Sequence, residues 1–307
     1  MPETSQEALL SKQNINKPKI LRDLLKKHAT VALPGAFNAI SAKLAEAEGF
    51  EALYISGAGI ANGVGGYPDI GFMTAGEMAT QAGYTARATS LPAIADGDNG
   101  YGEAINVFRT VQQYEREGLS GIHIEDQLIP KRCGHLNGKQ VISTEAMIEK
   151  IAAAKEARSN PDFLLIARVD SKAVYGLADA IERANAYLSA GADMIFAEAL
   201  ESEEEFLLYR KEVSGLLMAN MTEFGKTPLF NLQEFERFGY NMVIFPMTAF
   251  RMMMGAVAET YRTLKSEGSQ RSILDRMTSR EALYELIHYQ AYESLDASLA
   301  TQYSKKT

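Results

Sequence analysis

The 307-residue sequence has one cysteine, no tryptophan and no excess of positive charge. One thiol cannot close an internal disulfide, so no disulfide framework organises this fold. A lone cysteine suits a reducing cytosol, and a cytoplasmic protein is expected. Lys and Arg number 31 against 39 Asp and Glu, a net charge of −8. That balance argues against a general nucleic-acid or polyanion binder, which needs a basic face. A local basic site for a small acid remains open. No apolar run approaches the ~20 residues that cross a bilayer. Residues 1–18 are polar and lack the apolar centre of a signal peptide, so they are expected to form a solvated lead-in. No Pro/Gly/Ser-rich linker or abrupt change of composition divides the rest.

Hydrophobic residues make up 46% and charged residues 23%, close to globular averages. A length prior of ~150 residues per domain suggests two domains, but α/β barrels routinely exceed ~250 residues as one. The chain supports the second choice. Eight short apolar runs recur, at 31–34, 52–56, 92–96, 121–126, 163–170, 193–199, 216–222 and 242–246. They do not alternate strictly, which suits parallel strands buried on both faces. Helix-like stretches separate them. Thr74 and Glu77 have the spacing of a capping box, Asp179 is placed to cap a helix that Gly191 ends, and 144–158, 203–212 and 232–238 are weaker helical patterns. The alternation predicts a (β/α)8 barrel as a single domain over 1–307. A helical arm over about 248–303 follows, with Leu283, Leu286, Tyr289 and Leu295 at helical spacing.

A barrel carries its active site at the C-terminal strand ends. There the chain places Ser56-Gly57-Ala58, Asp96-Gly97-Asp98, Glu125-Asp126, Arg168-Val169-Asp170, Glu198, Asn220-Met221-Thr222-Glu223 and, beyond the eighth strand, Arg251. Isolated acids at strand ends are commonly helix caps, but so many converging on one rim point to chemistry. Asp96 and Asp98 flank a glycine that allows a tight turn, and with Glu125 they make a hard oxygen site suited to Mg²⁺ or Mn²⁺. A pair of turn-forming aspartates is the plainer alternative. The glycines at 57–66 lack the Lys-Ser/Thr of a P-loop and the dinucleotide spacing. Close backbone approach to a carboxylate, with Ser56 as donor, suits them better.

The lone cysteine, Cys133, lies in the basic, glycine-punctuated stretch Lys131-Arg132-Cys133-Gly134-His135. Lys131, Arg132 and His135 favour its thiolate, so a nucleophile or a general acid/base is expected. Glycines at 134 and 138 and the density of charge predict a mobile loop. His123, inside a strand, reads as core. No Ser/His/Asp constellation can be assembled, and no His pair has zinc spacing.

The motifs P-K-R-C-G-H, I-E-D-Q, D-G-D-N-G-Y-G, A-R-V-D and N-M-T-E-F-G-K-T-P-L-F resemble the isocitrate lyase/phosphoenolpyruvate mutase superfamily over nearly the whole chain, and its lyase branch in particular. The resemblance implies carbon–carbon cleavage of a small 2-hydroxy di- or tricarboxylate, with Mg²⁺ or Mn²⁺ and no organic cofactor. It implies a homotetramer that exchanges C-terminal helices, with no nucleic-acid or membrane partner. By position it assigns the metal to Asp96, Asp98 and Glu125, the last through water. Cys133, Lys131, His135, Glu198 and Tyr54 become the catalytic set. Ser56, Gly57, Ala58, Asp69, Gly134, Arg168, Phe196, Asn220, Thr222 and Arg251 become substrate contacts. Phe196 stands where the family's isocitrate lyases carry tryptophan, which implies room for one more methyl. Val169, Ala58 and Ala197 depart from the family's usual threonine, glycine and proline.

Overall fold

The eight apolar runs all become strands: β1 Val31–Ala36, β2 Leu53–Ile55, β3 Ala93–Asp96, β4 Gly121–Glu125, β5 Leu164–Val169, β6 Met194–Ala197, β7 Leu216–Asn220 and β8 Met242–Phe245. Each pairs in parallel with the next, and β8 returns to β1 to close the barrel. The structure, a computed structural model, describes residues 15–132, 134, 135 and 138–304. Two units compose it: Lys17–Arg251, which holds the barrel, and the chain from Met252 onward.

Successive strand residues face opposite ways. Tyr54, Ile94, Ile166, Phe196, Met218 and Ile244 point inward and form one buried cluster. Their neighbours Ile55, Ile122, Leu165, Ile195, Leu217 and Val243 pack in a second cluster with helix residues such as Val107, Ile151 and Tyr187. One step of two further along the chain, the inward positions turn polar: Ser56, Asp96, Glu125, Arg168, Glu198 and Asn220. The register pairs Glu125 with Arg168, and Arg168 with Phe196. The apolar layer therefore floors a polar mouth. At the opposite end, Leu21 and Leu24 of helix Lys17–Lys27 join the interior cluster. That helix begins inside the stretch expected to be lead-in.

The Thr74/Glu77 capping box forms: the Glu77 amide donates to Thr74 Oγ1 at 3.4 Å, and the Thr74 amide to Glu77 Oε2 at 2.8 Å. Asp179 does not cap its helix. The helix starts earlier, at Leu177, and Asp179 accepts instead from Arg183 Nε at 2.8 Å within the first turn. Gly191 ends it at φ 118°. The weaker patterns become helices Thr144–Ala157, Glu203–Glu212 and Leu232–Phe238.

Helix Thr248–Glu267 leads into the second unit, where a 3₁₀ turn Arg271–Arg276 and helices Arg280–Leu286 and Tyr289–Ser304 follow. Arg276 clasps Glu259 with two bonds of 2.7 and 2.9 Å. His288, at φ 56°, separates the last two helices. Leu283 and Tyr289 are each 39% exposed, while Leu286 and Leu295 are half-buried, so the expected apolar stripe is only partly covered. Among the described residues no helix is long and apolar enough to cross a membrane.

Candidate active site

The inward polar positions line a cavity at the C-terminal mouth. Of the residues singled out in the sequence, Tyr54, Ser56, Ala58, Asp69, Asp96, Lys131, Gly134, His135, Arg168, Phe196, Glu198, Asn220 and Thr222 line it. Gly57 lies directly behind: a methyl built there falls 2.6 Å from Asp96 Oδ2, so only glycine lets the β2 turn approach that carboxylate. Ser56 Oγ accepts the Gly59 amide at 3.0 Å and caps the turn Gly57–Ile60. Arg251 stands apart from this lining. Its Nε is 3.3 Å from Glu223 Oε2, and its guanidinium lies over the Phe224 ring. Cys133 falls outside the described residues.

The β3 end is built for close approach. Asp98 takes φ 47°, a left-handed conformation that costs a non-glycine residue energy. Its amide donates to Asp96 Oδ1 at 2.9 Å, and its carbonyl accepts from the Glu125 amide at 2.8 Å. These bonds fix the Asp96–Asp98 turn and join it to the end of β4. Neither oxygen of Glu125 has a hydrogen-bond partner among the described residues, and the side chain is fully buried. Burial pushes its carboxyl well above the usual carboxylate range, although Arg168 and Lys131 oppose this. Such orphaned hard oxygens fit a divalent cation.

The expected metal site is not assembled as a ligand cluster, however. No group of three His, Cys, Asp or Glu side chains is close enough to hold an ion among the described residues. The reason is local. The Lys131 ammonium lies 2.8 Å from Asp69 Oδ1 and closer still to Asp98 Oδ1, so a protein cation neutralises that corner. Burial pulls the Lys131 pKa down, but Asp98, Asp96 and Asp69 outweigh it and hold it well above the ordinary value.

On the far side, Arg168 is the central charge. It bonds Asp170 through Nε at 2.8 Å and Nη2 at 3.3 Å, and stands 3.4 Å from Glu125 and 3.8 Å from Glu198. The Phe196 ring supports it at 5.1 Å. His135 Nδ1 accepts the Lys226 amide at 3.0 Å, which leaves Nε2 to carry the hydrogen toward Glu198 Oε1, also 3.0 Å away. Burial opposes ionisation of Glu198, yet Arg168 and His135 hold its carboxyl below the ordinary value.

Tyr54 pairs with a residue that sequence reasoning assigned to the core. His123 is buried and packs edge-on against Phe196, and its Nε2 is 2.9 Å from Tyr54 Oη. Burial, aided by Arg168 and Lys131, lowers the imidazole to about 3, so it is neutral. Burial raises the phenol well above its ordinary value. Tyr54 is therefore a hydrogen-bond donor rather than a ready base.

The sequence reads Asp126 and Asp170 as strand-end acids and Lys139 as a loop cation, without assigning a role to any of them. Asp170 accepts from Lys139 Nζ at 2.8 Å, while its amide donates to Asp126 Oδ1 at 2.8 Å. Tyr187 and Arg183 hold Asp126 in turn. Asp170 was visible in A-R-V-D as the acid two residues after Arg168, the i, i+2 spacing that shares a strand face.

With the geometry in view, comparison with known proteins is informative. The chain is 46% identical to 2-methylisocitrate lyase of Aeropyrum pernix, over 95% of this chain and 94% of that protein. The solved structure of 2,3-dimethylmalate lyase superposes with a TM-score of 0.87 at 35% identity, covering 93% of this chain and 96% of that one. Phosphonopyruvate hydrolase in complex with oxalate and Mg²⁺ superposes with a TM-score of 0.83 at 30% identity, covering 92% and 99%. Residues 21–265 match the phosphoenolpyruvate phosphomutase family, and the chain belongs to that family.

Proposed function

We propose that this barrel cleaves the C2–C3 bond of 2-methylisocitrate to give pyruvate and succinate, as a step in propionate breakdown by the methylcitrate cycle. The observation that carries this reading is the 46% identity to a 2-methylisocitrate lyase across nearly the full length of both chains. Asp96, Asp98 and Glu125 would hold Mg²⁺ or Mn²⁺ after Lys131 yields Asp98. Bound there, the cation would supply Lewis acidity that lowers the pKa of the substrate hydroxyl.

The chain's own groups do the rest. The Ser56–Ala58 turn, Asn220 and Thr222 bind carboxylates, and Arg251 would join them on leaving Glu223. Loss of the C2 hydroxyl proton lets that oxygen form the pyruvate carbonyl as the C2–C3 electron pair moves to C3. Charge then builds on the succinate fragment, where Arg168, His135 and Lys131 offset it. Cys133, which lies in sequence between the cavity residues Arg132 and Gly134, gives its thiol proton to C3 as general acid. The proton released from the hydroxyl restores the thiol through solvent. The protonated phenol of Tyr54 orients the substrate oxygens.

Phe196 sets the choice of acid. Its ring is fixed between His123 and Arg168 and faces the cavity. One methyl against such a wall is worth ~1–3 kcal/mol, or 10- to 200-fold. NMR assays with 2-methylisocitrate, 2,3-dimethylmalate, isocitrate, oxaloacetate and carboxyphosphonoenolpyruvate should rank the first highest in kcat/KM, and Phe196→Trp should erode that preference. Faster turnover of 2,3-dimethylmalate would shift the reading to that lyase, which the 0.87 TM-score favours as the alternative. Binding without turnover of any acid in Mg²⁺ would make the barrel a carboxylate-binding protein.

A homotetramer exchanging C-terminal helices completes the proposal. Met252, Tyr261 and Leu274 on the arm are 72%, 67% and 62% exposed, more apolar surface than a solvated helix needs. Light scattering should give four times the 33.7 kDa chain mass. A cytoplasmic setting accords with the single thiol.

A further inference from the structure

The segment that carries Lys131, Gly134 and His135 returns to the barrel through Lys139. Its base is fixed by an antiparallel bridge between Gln127 and Val141, and the Gln127 side-chain amide bonds both the N–H and the C=O of Arg132. Above that base, Lys139 turns inward. Its side chain is 1% exposed, and its ammonium donates to Gly134 O at 2.6 Å and to Asp170 Oδ1 at 2.8 Å. Asp170 has a full cationic partner without it, since Arg168 already spans both carboxylate oxygens. A second buried cation on that carboxylate is costly unless its remaining donors are used. Here one of them is spent on the loop's own carbonyl.

We propose that Lys139 is a positioning residue: by bridging Gly134 O and Asp170, it latches Gly134 and its neighbour His135 to the end of β5 and ties their placement to that of Arg168. The inference rests on the cleavage reaction proposed above only for its effect on rate. With the latch closed, the Gly134 peptide is fixed against Glu198 and His135 is delivered to the same carboxylate. The shared carboxylate means that the loop and the guanidinium are oriented by one group.

Lys139→Met tests this by amide hydrogen exchange in the intact protein. Exchange at Gly134 and His135 should accelerate about tenfold or more, the effect of losing a charge-assisted bond, while β4 and β5 amides keep wild-type rates. Lys139→Gln retains a donor for Gly134 O without the charge for Asp170 and should fall between, which covers a Met variant that folds poorly. In turnover, kcat should fall about 10- to 100-fold with KM within threefold, because Lys139 holds the loop and touches no substrate. Wild-type exchange at Gly134 and His135, or acceleration shared equally by β4 and β5, overturns the latch. Accelerated exchange with an unchanged kcat overturns the positioning role. If the wild type fails to cleave 2-methylisocitrate, the substrate reading falls and the exchange result still decides the latch.

Discussion

One added methyl at Gly134 should separate the loop from the barrel. Built as alanine, its Cβ falls 2.5 Å from Glu198 Cδ, against the 3.4 Å at which ordinary contact begins. Glu198 Cγ and Oε1 lie closer still, so one side must retreat by about 1 Å. Glu198 is poorly placed to do so. His135 lies 3.0 Å from it, Asn220 Nδ2 3.5 Å and Arg168 3.8 Å, and the next residue, Ala199, already holds φ 57°. The loop must move instead, which weakens the Lys139 bond to Gly134 O and the approach of His135. Overpacking of this size costs ~1–3 kcal/mol. At 1.36 kcal/mol per decade, that is roughly 5- to 150-fold in kcat/KM. Gly134 has no left-handed backbone requirement, so alanine adds no torsional strain there. Steady-state kinetics on 2-methylisocitrate and a thermal melt decide it. The melting temperature should move by less than ~2 °C, because the loop lies outside both apolar clusters. A variant within twofold of wild-type kcat/KM would show that the Gly134–Glu198 approach does not serve the reaction.

Cys133→Ser should fold normally and lose nearly all turnover, since serine is a far weaker acid; wild-type rates from the pure variant would remove Cys133 from the mechanism. EDTA should abolish activity and Mg²⁺ restore it, with the rescue much weaker in Asp98→Ala; full activity in chelator would refute a catalytic ion. Asp170 should show in acid unfolding: burial opposes its charge, but Arg168 and Lys139 outweigh that and hold the carboxyl at about 2, below the ordinary 3.8. A depressed carboxyl stabilises the fold above its unfolded value, by about 2 kcal/mol here, and that contribution is lost as pH falls through the folded one. Urea midpoints between pH 5 and pH 2 should therefore fall more steeply in wild type than in Asp170→Asn, and equal slopes would contradict the assignment.

The barrel was legible because its strands are buried on both faces and its helices are punctuated by glycines and caps, as at Thr74 and Gly191. Where chemistry stood at a strand end, it was legible too. Asp96, Arg168 and Glu198 each lie two residues beyond an inward apolar or aromatic side chain, and strand periodicity carries them to the same mouth. What sequence could not supply was pairing across the barrel. His123 reads as core in an apolar strand, and nothing local says that Tyr54, on β2, bonds it. Lys139 reads as one more loop cation, because its partner lies beyond another strand, at 170. Asp179 was misjudged for a related reason: Gly176 starts the helix early, and the aspartate then finds Arg183 one turn on.

The corner around Asp98 joins these threads. Asp69 and Asp98 meet Lys131 there, while Glu125 faces Arg168 at 3.4 Å and burial favours its neutral form; burying carboxylates is costly unless protonation or positive charge neutralises them. Lys131 relieves part of the cost by leaning on Asp69 and Asp98. Among the described residues the oxygens of Glu125 remain without hydrogen-bond partners. A substrate bearing several carboxylates would add to that charge, and the divalent cation proposed above would offset it. Displacement of Lys131 from Asp98 would then free an ammonium next to Arg132 and Gly134, where the departing fragment gathers its charge. On the mechanism proposed above, one lysine would stabilise the acidic corner before a cation binds and face the developing carbanion afterwards.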